Sequence, residues 1–219
     1  MLGLIGSAIG GGTYAIFTAS TSTSANAIST ANLAITNDHT ATTVVSLTNM
    51  VPGDTIAGLV QVTNSGSEDL ALYSVATTAS AATVLTTDQV NGLRLWVERC
   101  TVAWTGVGNA ASCSGTRIDL IGTNGTPYTT WVPLTTVAGL TNSFSMISVP
   151  NAFCTNAAGM AAERTARGVV CDTTVDLVNA RDALKVHVGL GINAGNPFEN
   201  LSVTVTFTFS GQSPPAHAF

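Results

Sequence analysis

The sequence has little charge and almost no lysine. Only 9% of its 219 residues are charged, and 7 Lys and Arg stand against 12 Asp and Glu, which gives a net charge of −5. An ordinary soluble domain carries about 25% charged residues. Lys185 is the only lysine. Because no basic surface is available to neutralise phosphates, we expect neither nucleic-acid binding nor polybasic attachment to an anionic membrane.

The sequence also lacks the short motifs of common enzymatic chemistry. It contains no HExxH zinc motif, no GxSxG elbow, no glycine-rich phosphate loop ending in lysine and no CxxC pair. The histidines are His39, His187 and His217. The one candidate set of metal ligands is Asp38, His39 and His187. We interpret these as surface residues. The sequence therefore predicts no catalytic residue, no metal site and no cofactor, and hence no enzyme.

No apolar run is long enough to span a membrane as a helix, which takes about 20 residues. Residues 1–15 are apolar, uncharged and glycine-rich. They resemble the hydrophobic region of a secretory signal, with the small residues Thr13 and Ala15 placed for cleavage after Ala15. No basic residue precedes this run, so a retained apolar arm or anchor is the alternative. We expect no membrane span in the mature chain.

Strand-forming and turn-forming residues dominate the rest of the chain, which has 34 Thr, 18 Ser and 21 Gly. Residues 201–209 alternate strictly between apolar and Ser or Thr side chains, as a strand with one face on a core does. Residues 184–190 alternate in the same way, with Lys185 and His187 on the outward side. Other strands are expected at 33–36, 44–48, 57–63, 70–75, 93–99, 117–121 and 144–149.

Many short strands separated by turn signals predict an all-β fold, a jelly-roll-like β-sandwich with an N-terminal extended arm. The one helical pattern lies at about residues 157–167, so at most one short helix is expected. No linker interrupts residues 31–212, which we interpret as a single domain followed by the tail 213–219.

Four cysteines, an even number after a signal-like start, indicate disulfides in an exported protein. They allow three pairings, and loop length favours Cys100–Cys113 and Cys154–Cys171. Each of these bridges would close a short loop and stabilise the folded chain by roughly 3 kcal/mol. Reduced, buried cysteines are the alternative. Asn124 and Asn200 begin two sequons, which are candidate glycosylation sites in a secreted chain.

Three sequence blocks together resemble the TasA and camelysin family. The first is GGGTYAIF at 10–17, followed by NLAIT at 32–36. The second, NMVPGDTIAGLVQVTNSGSEDLALYSV at 49–75, is similar to the family's Pro-Gly-Asp turn, strand, Asn-x-Gly-Ser turn and strand. The third, LKVHVGLGINAGNPFENLSVTVTFTFSGQ at 184–212, resembles its closing strands. The cysteine-containing middle, about 96–175, departs from the family pattern.

The resemblance implies a β-sandwich that assembles into extracellular fibres of a biofilm matrix or into bundling pili on the cell surface. In such fibres the N-terminal segment of one subunit supplies a strand to its neighbour. Residues 16–30 are uncharged and extended-prone, and we predict that they form this donor strand, burying Ile16, Phe17 and Ile28. The expected partner is a second copy of the chain, with other matrix or cell-surface components as further partners.

Two other functions remain open. Camelysin has been assigned to a metallopeptidase family, so a secreted metallopeptidase is one alternative. The other is a monomeric adhesion or carbohydrate-binding domain, in which Trp96, Trp104 and Trp131 form a sugar platform. Three tryptophans in a β domain more often belong to the core or its rim.

Overall fold

The structure, a computed structural model, describes residues 35–37, 46–47, 50–124, 130–136, 141–158, 160–198 and 201–212. Several predicted features lie outside these residues, namely segments 1–15 and 213–219, the donor arm 16–30 with Ile16, Phe17 and Ile28, the sequon residue Asn200, and His39 and His217. The division of the chain into these segments stays a prediction.

Eleven strands of the described residues form two sheets packed face to face. In chain order they are β1 Ile35–Asn37, β2 Ser46–Leu47, β3 Thr55–Asn64, β4 Leu70–Ala79, β5 Leu93–Cys100, β6 Arg117–Ile121, β7 Val132–Pro133, β8 Thr141–Phe153, β9 Val170–Cys171, β10 Arg181–Leu190 and β11 Val203–Gln212. Sheet one has the order β1-β3-β10-β5-β6, with β7 also pairing with β5, and sheet two has the order β2-β11-β4-β8-β9. The predicted all-β sandwich is confirmed.

The core lies between the inner faces of the two sheets. On β11 the apolar residues of the alternating pattern are buried, and on β10 the row from Leu184 to Leu190 is buried in the same way. Burial of each large aliphatic or aromatic side chain contributes roughly 1.5–3 kcal/mol. Period-two alternation therefore identified the core face of both strands from sequence.

The second face of β10 differs from the expectation. Lys185 and His187 do face outward, but they are only 5% and 7% exposed, so the interpretation of His187 as a surface residue is wrong. The loop at 101–116 folds back over this face, and Lys185 Nζ donates hydrogen bonds to its backbone. Alternation reports which face a side chain is on, but not what covers that face.

Two short helices accompany the sheets in the described residues, one more than expected. Helix α2, Met160–Arg167, lies inside the predicted segment. Helix α1, Val84–Thr87, has the sequence VLTT, in which three of the four residues are β-branched, and was not predicted. Its first turn is held by Thr86, whose Oγ1 accepts from the Thr83 N–H and donates to the Ala81 carbonyl. None of the described helices is both long and apolar enough to cross a membrane.

All four cysteines are in disulfides. The bridges are Cys100–Cys113 and Cys154–Cys171, with Cα–Cα distances of 5.7 and 5.5 Å, which is the pairing that loop length favours. The reduced alternative does not hold. Two disulfides fit a secreted protein.

A buried ion pair lies between the sheets at one end of the sandwich. Arg99 makes a two-pronged contact with Asp182, Nε to Oδ1 and Nη2 to Oδ2, both at 2.7 Å. Its Nη1 also contacts Asp172 Oδ2 at 2.9 Å and Thr174 Oγ1 at 2.6 Å. Burial, the largest single influence, lowers the pKa of Arg99, but the charge and hydrogen bonds of Asp182 together with the charge of Asp172 outweigh it, so the pKa is raised. The buried Asp182 carboxylate therefore depends on Arg99 for its charge partner, whereas Arg99 also contacts Asp172 and Thr174.

Candidate functional site

The outer edge of β11 is the first candidate site. On one side β11 pairs with β4 throughout Val205–Gln212, in register with Ala79–Leu72. On the other side it pairs with β2 only at Val203 and Thr204. Beyond Thr204, no strand of the described residues pairs with this edge.

The direction of the backbone groups on this edge follows from one hydrogen bond. The Ser80 N–H donates to the Thr204 carbonyl at 2.9 Å, so the backbone groups of Thr204 face β4. In an antiparallel pair these groups alternate in direction along the strand. The N–H and C=O groups of alternate residues therefore face the outer edge, and these residues are Val205, Phe207, Phe209 and Gly211.

The side chains along this edge are suited to another strand. Val205, Phe207 and Phe209 are buried in the core, whereas Thr204 and Thr208 are exposed on the opposite face. A strand added beside β11 would extend both the apolar inner layer and the polar outer layer. No charged side chain lies on β11, so charge does not oppose such an addition.

The second candidate site is a cluster of polar and aromatic side chains on the outer face of sheet one. Glu98 on β5 is at its centre, with Oε1 2.9 Å from His187 Nε2 and Oε2 2.6 Å from Arg117 Nε. Register places these residues together, because β10 and β6 lie on either side of β5. Arg117 is half exposed at the rim, whereas Glu98 is buried.

Tryptophan rings surround the His187 imidazole. The Trp96 ring stacks on it with centroids 4.0 Å apart and an interplanar angle of 20°, and Trp131 lies at 5.9 Å on a tilted plane. Trp131 also covers Gly189, where a Cβ would be 2.7 Å from the ring atom Cζ3. A glycine is therefore required at that position by close approach, not by backbone conformation.

Burial controls the titration of this cluster. It lowers the pKa of His187 below its ordinary value, and the hydrogen bond and charge of Glu98, which raise it, do not compensate. The pKa of Lys185 is lowered by burial as well, with Glu98 opposing and Arg117 reinforcing the shift. The His187 ring is thus neutral at neutral pH, and one of its nitrogens donates to Glu98.

This cluster has limited chemical capacity. A catalytic zinc uses three protein ligands, and no group of three His, Cys, Asp or Glu suited to a metal occurs in the described part of the chain. Both carboxylate oxygens of Glu98 are already occupied. A flat sugar platform does not form either, because Trp96 and Trp131 are buried and only Trp104 lies at the rim. The cluster is built as a packed polar interior beneath the loop.

The remaining predicted site residue within the described ranges is Asn124. It is exposed, and its N–H donates to Asp119 Oδ2 at 3.0 Å. Glu98, Arg117 and the edge of β11 were not predicted as site residues from the sequence. The sequence offered one signal for Glu98 and Arg117: each lies in a strand in which charged residues alternate with tryptophan or isoleucine. That these two strands are neighbours follows from the strand register, which the sequence does not give.

Comparison with known families and proteins bears on the first part of the chain. The model of the family described as camelysin metallo-endopeptidase matches residues 1–94. This match confirms the resemblance predicted from the glycine-rich start and the Pro-Gly-Asp block, and it stops before the first disulfide loop. No curated protein matches the chain.

Proposed function

We propose that this chain is the structural subunit of an extracellular filament of the cell surface or biofilm matrix, and that it polymerises by donor-strand exchange. The observation that carries the proposal is the edge of β11, which has no strand partner from Val205 to Gln212 among the described residues. The camelysin match over residues 1–94 and the two disulfides support a secreted protein of this family.

In this proposal, residues 16–30 of one subunit pair with β11 of the next. The four edge-facing residues of β11 each offer an N–H and a C=O, so a paired strand would form about eight hydrogen bonds, each worth roughly 0.5–1.5 kcal/mol net. Ile16, Phe17 and Ile28 of the arm would add roughly 1.5–3 kcal/mol each when fully covered. Neither contribution depends on charge, so the filament should withstand high salt.

Deletion of residues 16–29 tests the donor strand. We expect the deletion variant to be a folded monomer, while a control that lacks residues 213–219 still forms filaments in negative-stain electron microscopy. Filaments from the arm-deletion variant would refute the mechanism.

A single substitution tests the acceptor. Gly211→Pro removes an N–H that faces the outer edge but leaves the ladder with β4, whereas Gly211→Ala keeps that N–H. We expect Gly211→Pro to slow or abolish elongation and Gly211→Ala to elongate like the wild type. Equal elongation rates for the two variants would show that this edge is not the acceptor.

The match to the camelysin metallo-endopeptidase family favours a second candidate function, a metallo-endopeptidase. The assay is casein cleavage by the purified protein with and without a chelator. We expect no cleavage above the blank, because the Glu98 carboxylate is already engaged by both His187 and Arg117. Chelator-sensitive cleavage that disappears in His187→Ala would establish the peptidase instead.

A further inference from the structure

The loop at 101–116 is a compact hairpin closed by the Cys100–Cys113 bridge. Thr105 and Ser112 exchange backbone hydrogen bonds at 3.0 and 2.8 Å, and the Thr101 N–H donates to the Thr116 carbonyl at 3.1 Å. Within the hairpin, a short 3-10 turn spans Gly108–Ala110. The loop therefore has a defined shape of its own.

Two side chains, Lys185 and Trp104, anchor this hairpin across β10. Lys185 Nζ donates to the carbonyls of Asn109 and Ala111 at 3.1 and 3.0 Å. Trp104 Nε1 donates to the Ala183 carbonyl at 2.9 Å, and the Lys185 ammonium lies 5.3 Å from the Trp104 ring centroid. The only lysine of the chain thus holds the loop onto the sheet.

Beyond β10, the 3-10 turn reaches the outer edge of β3. The Leu190 N–H donates to the Asp54 carbonyl, so by alternation the backbone groups of Thr55 face away from β10. Asn109 Nδ2 donates to this outward Thr55 carbonyl at 2.7 Å. A Cβ on Gly108, whose φ is +51°, would lie 3.4 Å from the Ala57 carbonyl oxygen. The turn occupies the position that an added strand would take.

We propose that Gly108–Ala110 is an intramolecular edge guard, which prevents a strand of a second copy from pairing with β3 at Thr55–Ala57. The edges of β3 and β11 lie on the same side of the sandwich, where β1, the neighbour of β3, contacts β11. Guarding one edge leaves the other as the place for strand addition. Natural sheets commonly protect an edge by covering it with a loop. The inference holds whether or not the chain forms filaments.

The test compares removal of the two disulfides in the full chain. Cys100→Ser with Cys113→Ser frees the hairpin from its covalent link to β5, and Cys154→Ser with Cys171→Ser removes a bridge near Asn64, at the opposite end of β3 from Thr55–Ala57. We expect the first variant to associate sideways at a concentration at least tenfold lower than the control variant or the wild type, as measured by sedimentation and by filament width. Hydrogen exchange should then show protection of residues 55–57 in the associated species.

A suppressor locates the contact. In the released variant Ala57 is uncovered, so Ala57→Lys would place like charges opposite each other in a β3–β3 pair and should restore the wild-type state. If the bridge variant does not fold, Lys185→Met keeps the bridge, loosens the hairpin and should show the same association. A folded variant that stays dispersed, or that associates without protecting residues 55–57, would overturn the proposal. Wild-type protein that never forms filaments would count against the filament proposal alone.

Discussion

Asp182→Asn should destabilise the protein by about 3 kcal/mol, because breaking a buried ion pair leaves an uncompensated charge and typically costs about 3–5 kcal/mol. Arg99 and Asp182 are 1% and 0% exposed at the side chain, so water cannot replace the lost carboxylate. The expected value is at the lower end, because Arg99 keeps its contacts with Asp172 and Thr174.

Urea unfolding monitored by circular dichroism measures this change, provided that the slope with denaturant stays constant. Asp54→Asn makes the same chemical change at an exposed position and should stay within about 0.5 kcal/mol of the wild type. The double variant Arg99→Met with Asp182→Leu removes both charges and should recover most of the loss. A loss below about 1 kcal/mol for Asp182→Asn would refute the reasoning that this pair is desolvated.

Three further predictions concern the outer face of sheet one and the bridges. Folding lowers the pKa of His187, so as the pH drops through the ordinary histidine value of about 6.5 the unfolded chain binds more protons than the folded one. The free energy of unfolding should therefore fall as pH drops from 7.5 to 5.5, and His187→Gln should reduce this slope. Gly189→Ala should cost about 1–3 kcal/mol and change the near-ultraviolet spectrum of Trp131, whereas Gly195→Ala, whose Cβ would be 3.7 Å from its nearest neighbour, should do neither. Non-reducing peptide mapping should show only Cys100–Cys113 and Cys154–Cys171, and a link between Cys113 and Cys154 would contradict the assignment.

The parts of the fold that depend on local pattern were predictable from sequence. The alternation of residues 201–209 determined which face of β11 is buried, because the period of a strand is two and only one of its faces is apolar. The short loops between cysteines favoured the bridges now seen, because close spacing lowers the entropy lost on closure.

The parts that depend on chain path were not predictable. Nothing in Lys185 or His187 reveals that a hairpin from the far side of β5 covers them, because that hairpin is placed by Asn109 and by a glycine with positive φ. The VLTT turn of α1 was missed because its β-branched residues favour strands, whereas the Thr86 carbonyl accepts from Thr135 and fixes the helical turn.

The continuous ladder between β11 and β4 has a mechanical consequence. Its hydrogen bonds lie perpendicular to the strands, so tension applied along β11 strains every bond from Val205 to Gln212 at once. Tension applied across the sheet would instead rupture them one after another from the end. A neighbour attached along β11 would pull in the first direction, so in a fibre built in this way the ladder should withstand more force than the same ladder loaded from its end.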